Sequence, residues 1–213
     1  SEHNNFTDAV PWIAELDWLQ ENFPRVPGFE TRAILAFSAA MLITWADPAN
    51  PSLPGWIAKI EKMHKLIPNK ALKIFSASQL SLYYAQHGRI DKIRQIFPLI
   101  KKFAHDKKLL DTYYVFVGVT LIFCDVATAE FSLTNDDIDE LINRNKNAGL
   151  NFYSNFVIPM ALYNVEGRND VKYAQQLLEN LLDEVDPERE LEYAHYLYHV
   201  GFVDFLNNDY VKA

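Results

Sequence analysis

One cysteine in 213 residues, Cys124, sits on an apolar stretch after Thr120-Leu121-Ile122-Phe123. A single thiol excludes a disulfide framework and a thiolate metal cluster, and it favours a reducing compartment. The longest uncharged apolar stretch, Thr112 to Cys124, falls well short of the roughly 18 residues that a membrane span needs. It reads as a buried helix, and no membrane association is expected. No charged start followed by an apolar core and a cleavage site opens the chain, so the expected location is cytoplasmic.

Chemistry is equally thin. No glycine-rich loop ends in Gly-Lys-Ser/Thr, no basic recognition helix is present, and Cys124 has no local histidine. His195 and His199 stand one helical turn apart, but neither a His-Glu-x-x-His pattern nor a third ligand accompanies them. The acids Asp136, Asp137, Asp139 and Glu140 lack the glycine and terminal glutamate of a calcium loop and read as a helix N-terminus. The expectation is a non-enzymatic protein with no cofactor and no metal.

Glycine is scarce, at seven residues, and the ten prolines lie mainly between apolar periodic stretches, as in a mostly helical chain. Net charge is −8, but twelve basic and three acidic groups give residues 59–108 a charge of +9. Overall acidity argues against direct nucleic-acid binding. The basic block reads as solvated outer helix faces, with docking of an acidic partner or neighbouring domain as the alternative.

What is present is repetition. Tyr84-Ala85-Gln86-His87-Gly88-Arg89-Ile90-Asp91, Tyr163-Asn164-Val165-Glu166-Gly167-Arg168-Asn169-Asp170 and Phe205-Leu206-Asn207-Asn208-Asp209-Tyr210 are variants of one turn. Their spacing gives a period near 40 and predicts degenerate turns around 128 and 48, where Asp125 to Thr134 and Asp47-Pro48-Ala49-Asn50-Pro51 interrupt apolar patterns. A 3.6-residue apolar period predicts helices near 8–23, 29–45, 53–66, 70–86, 90–104, 108–125, 135–147, 150–165, 170–184 and 189–206. Ten helices make five hairpins. Thr134 with Asp137 forms an acidic capping box, Gly88 and Gly167 supply positive φ, and Pro98 and Pro159 kink or split their helices.

Counting from the turns, Tyr84, Ser81, Leu80 and Ala77 precede Gly88, and Ile90, Ile93 and Phe97 follow it; Leu197, Val200 and Gly201 precede Asn208. Around Gly167 the pattern departs by about two residues before Tyr173-Ala174, which predicts a lengthened turn there. This arrangement of small, aromatic and alanine positions resembles the tetratricopeptide repeat. With Glu190 to Tyr210 and the Pro51-Ser52-Leu53-Pro54-Gly55-Trp56 helix start, it is similar to the divergent tetratricopeptide-like region of bacterial MalT-like signalling ATPases and transcriptional activators.

That resemblance implies an all-α, right-handed α-solenoid of about five hairpins. Residues 1–213 would form one domain, a piece of a longer protein whose other domains bind nucleotide and DNA. It implies a protein-interaction or ligand-sensing arm for a protein, a peptide or a small inducer. The alternative is a free-standing scaffold that binds a peptide segment. On this register the groove residues are Ser78, Gln86, Asp125, Ser154, Asn164, His195 and Tyr198.

Overall fold

The structure is a computed structural model that describes residues 10–22, 28–106, 108–149, 151–182 and 190–209. Among these residues it is all helical. The elements are α1 (Val10–Asn22), α2 (Phe29–Ala46), α3 (Leu53–His64), α4 (Lys70–Gln86), α5 (Ile90–Ala104), α6 (Asp111–Thr128), α7 (Asn135–Ala148), α8 (Asn151–Gly167), α9 (Val171–Leu182) and α10 (Glu190–Leu206). Every helix that the apolar period predicts is there. α5 and α8 each run unbroken through Pro98 and Pro159, so neither helix is split.

Four of the helices end in the same way. Gly88, Ala129, Asn169 and Asn208 take φ values of 63°, 56°, 58° and 63°, at intervals of 41, 40 and 39 residues. In each turn the next amide bonds a carbonyl in the helix just ended: Arg89 to Tyr84 at 2.8 Å, Glu130 to Asp125 at 3.1 Å, Asp170 to Val165 at 3.1 Å and Asp209 to Asp204 at 2.9 Å. This left-handed cap satisfies carbonyls that the helix end leaves open and turns the chain back. The turn near 48 is a different device: the Asn50 amide bonds the Asp47 carbonyl, and the Asn50 side chain accepts from the Ser52 amide and hydroxyl.

The expectation at Gly167 is corrected. Gly167 closes α8, while Asn169 takes the positive φ. Because Val171 begins α9 two residues after Asn169, as Ile90 begins α5 two residues after Gly88, the turn is not lengthened. Gly167 is small for another reason: a Cβ there would lie 2.1 Å from the Phe131 ring. The Thr134 capping box is present, with the Asp137 amide donating to Thr134 Oγ1 at 3.2 Å and the Thr134 amide to Asp137 Oδ2 at 2.9 Å.

The chain divides into two compact units, Ser1–Ile96 and Phe97–Ala213. In the first, α2 packs on α1, α3 and α4, and α3 packs on α4. Ala33, Ala36, Ala39 and Ala40 give α2 a thin face that lets its neighbours approach closely, and all four are buried. Trp56 is also buried, and its indole N–H reaches Asp17 of α1 at 3.3 Å. In the second unit, α6 packs on α7 and α8, and α8 packs on α7, α9 and α10, with α9 on α10. Among the described residues α6 alone is long and apolar enough to cross a membrane, and its Val115, Val117, Leu121, Ile122 and Cys124 are buried.

Close approach of α7 to α6 depends on Gly118, where a Cβ would meet Leu141 Cδ1 at 2.5 Å and Cδ2 at 3.0 Å. Leu141 is itself buried, so its side chain has little room to give. Gly118→Ala is therefore expected to destabilise the protein by about 1–3 kcal/mol in urea titrations, the range for an overpacked core. In the Leu141→Ala background the same change should cost much less, because the opposing methyls are gone. Strict additivity of the two substitutions would refute the packing account.

Candidate functional site

The corrected turn register decides which residues of α8 correspond to those of α10. Tyr163 stands six residues before Asn169 and Phe202 six before Asn208, so the two are equivalent. Tyr163 is half-buried and lies against three α10 side chains. Its ring centroid is 5.8 Å from Tyr198, 6.3 Å from His195 and 4.6 Å from His199. The stack continues along α10, from Tyr198 to Phe202 at 6.1 Å and from Phe202 to Phe205 at 6.3 Å. Tyr198 is 51% exposed and Phe205 53%, so the stack opens to solvent.

Polar groups are set beside these rings. Tyr163 Oη lies 3.4 Å from His195 Nδ1. Burial, followed by the charge of His199, lowers the His195 pKa, so the imidazole stays neutral near pH 7 and offers one donor and one acceptor. Burial raises the Tyr163 pKa, with Tyr198 and Glu166 acting in the same direction, so the phenol keeps its proton. Aromatic faces flanked by neutral hydrogen-bonding groups suit a ligand or peptide with an apolar body and a few polar atoms.

Beneath the stack runs a buried polar seam. His199 Nδ1 meets Glu166 Oε1 at 2.7 Å, tying α10 to α8, and both side chains are buried. Asn164 Nδ2 donates to Asp125 Oδ2 at 3.0 Å, tying α8 to α6. The Ser132 amide donates to the same oxygen at 2.7 Å, and the Ser132 hydroxyl lies 3.0 Å from both carboxylate oxygens. Burial is the main influence on Asp125 and raises its pKa against the opposing hydrogen bonds from Ser132.

The residues expected in a groove therefore separate. His195 and Tyr198 meet at the open stack. Asp125 and Asn164 are bonded to each other with no exposed surface, which removes them from any groove. The cause is the turn mark: with Asn169 and Ala129 as reference, Asn164 and Asp125 fall on inward positions, five and four residues before their turns. Ser78 is buried and Gln86 exposed, both in the other unit. The Ser154 side chain lies outside the described residues.

Glu166, Ser132 and Tyr163 were not in the expected set. Tyr163 is recoverable from the corrected register; Glu166 and Ser132 act through contacts that no local pattern announces. His195 and His199 turn to different partners, Tyr163 and Glu166, and no group of three or more metal-ligating side chains occurs among the described residues.

A second arrangement resembles a nucleophile and its base. His64 Nδ1 lies 2.7 Å from Ser76 Oγ, and the Lys73 ammonium bonds the His64 carbonyl. Ser76 has no exposed surface, and its hydroxyl donates to the Lys73 carbonyl at 2.9 Å, so the pair is a helix-to-helix tie between α3 and α4. Burial and the nearby Lys73 charge lower the His64 pKa to about 4.

Comparison of the chain with known protein families, with curated proteins and with solved structures gives no match.

Two expectations follow from the buried groups. Glu166→Ala leaves the buried His199 ring without its hydrogen-bond partner and should destabilise the protein by about 1–3 kcal/mol, the range for a buried polar group left unsatisfied. Replacing both partners, as Glu166→Leu with His199→Phe, should recover much of that loss. A double variant no more stable than Glu166→Ala would show that the pair itself does not set the cost. For His64 the sign follows from its depressed pKa: the unfolded chain takes up a proton near 6.5 while the folded chain resists until about 4. Stability should fall as the pH drops through that window, and the slope should diminish in His64→Gln; an unchanged profile in thermal melts from pH 7 to 4 would contradict this.

Proposed function

We propose that the chain is a non-enzymatic helical-repeat module that binds a protein, a peptide or a small inducer. Its hairpins would stack as a right-handed α-solenoid of about five repeats. The observation that carries this reading is the recurrence of one left-handed cap at intervals of 41, 40 and 39 residues. A chain that repeats its turn repeats its hairpin, and stacked hairpins present side-chain surfaces as binding faces. Packing within each unit agrees, since helices touch the next helix and the next but one.

The binding face we assign is Tyr163, His195, Tyr198 and Phe202, where exposed aromatic area meets neutral hydrogen-bonding groups. The resemblance to the tetratricopeptide-like region of MalT-like regulators supports a sensor arm within a bacterial cytoplasmic signalling protein that also carries ATPase and DNA-binding domains. Ligand bound on this face would bias how the arm docks on an output domain. A free-standing scaffold is the second reading, favoured by the same aromatic face if a peptide fills it.

His195→Ala with Tyr198→Ala is expected to weaken binding of the inducer or partner peptide by about tenfold or more, as for anchor residues at the centre of a binding face. The melting temperature should change little, because Tyr198 is half exposed and His195 only half-buried. Asp136→Ala on the outer acidic helix serves as the control. In the full-length protein, output that is identical with and without residues 1–213 would remove the sensor reading.

A further inference from the structure

The caps provide a common register in which α4, α6, α8 and α10 can be compared position by position. Eleven residues before the cap stand Ala77, Gly118 and Ile158, all buried; the equivalent residue of α10 is Leu197, 50% exposed. Seven before the cap stand Ser81, Ile122 and Leu162, also buried, against a half-buried Gly201. Fourteen before it, Ile74 and Val115 have no exposed surface, while Ala194 is exposed. The opposite side of α10 is closed, with His199 and Val203 buried in the unit.

α10 is thus apolar on two sides, and only one of them is covered. A helix with apolar residues all round belongs in an interior. A terminal repeat in an array is expected to show a polar outer face, which α10 does not. The earlier helices show what covers this side: α7 packs on α6, and α9 packs on α8. α9, which packs on both α8 and α10, carries buried Ala174, Leu177, Leu178 and Leu181, a stripe at i, i+3, i+4 and i+7.

We propose that the Ala194-Leu197-Gly201 face of α10 is the seat of the chain's own next helix, entered through the cap at Asn208 and packed antiparallel as α9 packs on α8. The cap itself supports this occupant, because Asn208 and the Asp209 amide make the same turn that leads into α5 and α9. The sequence beyond it keeps the register. Tyr210 stands two residues after the cap, as Ile90 and Val171 do, and Ala213 stands five after it, as the buried Ile93 and Ala174 do. The proposal rests on the repeat register and not on what the aromatic face binds.

The test is thiol labelling of Leu197→Cys in the protein expressed from its complete native reading frame, compared with residues 1–213 alone. Cys124 is buried and does not compete. Leu110→Cys, at a site 70% exposed, gives the open rate. In the complete protein Leu197→Cys should react about tenfold or more slowly than Leu110→Cys, as a side chain freed only by local opening does. That protection should be independent of protein concentration, and in residues 1–213 the two rates should be similar. Ala194→Cys should behave like Leu197→Cys. Equal rates in the complete protein overturn the proposal, whatever the length of the reading frame. Protection that grows with protein concentration also overturns it, by assigning the face to a second copy of the chain.

Discussion

An α-helix ends with carbonyls that have no partner, and a chain that must reverse within two or three residues has few ways to fill them. The cap at Gly88, Ala129, Asn169 and Asn208 solves both problems at once: one residue of positive φ redirects the backbone, and the following amide closes a carbonyl of the helix just finished. After Gly88 and Asn169 the next helix begins two residues on, and through the helical period the cap marks which side chains of the helix just ended face inward. Only one of the four sites uses glycine. At Ala129 the chain accepts a conformation that costs an L-residue roughly 1–2 kcal/mol, so the geometry of the reversal is kept even where the residue is unfavourable.

Between α6, α8 and α10, the second unit uses polar links where an all-apolar interface would serve. Asp125 with Asn164 joins α6 to α8, and Glu166 with His199 joins α8 to α10. Asp125 and Glu166 lie within four residues of their caps, close to the reversal where backbone position is best determined. Apolar contacts tolerate small displacements; a buried carboxylate with directed partners does not. The open aromatic stack rests on this seam, since Tyr163 and Glu166 share a face of α8, as Tyr198 and His199 are neighbours on α10.

Much of the architecture was legible in the sequence because it depends on local chemistry. Apolar period, the Thr134-Asp137 box and the glycine at 88 each act over a few residues, and all ten helices follow from such signals. The reading failed where a residue answers to something distant. Gly167 looks like a turn glycine, yet what demands its size is the ring of Phe131, 36 residues earlier. Asn169, which takes the positive φ, carries no such emphasis. That two-residue error carried Asn164 into an expected groove, when its true neighbour is the buried Asp125. The Glu166 and His199 pair was invisible for a related reason: neither residue has a local partner that would mark it.

The polar seam also limits how this part of the molecule can deform. Sliding α8 along α6 or α10 by one helical turn, about 5.4 Å, would separate Asn164 from Asp125 and Glu166 from His199, stranding four buried polar groups. Axial slip is therefore closed to these helices. Rotation about the seam leaves the pairs intact and changes only the angles between α6, α8 and α10.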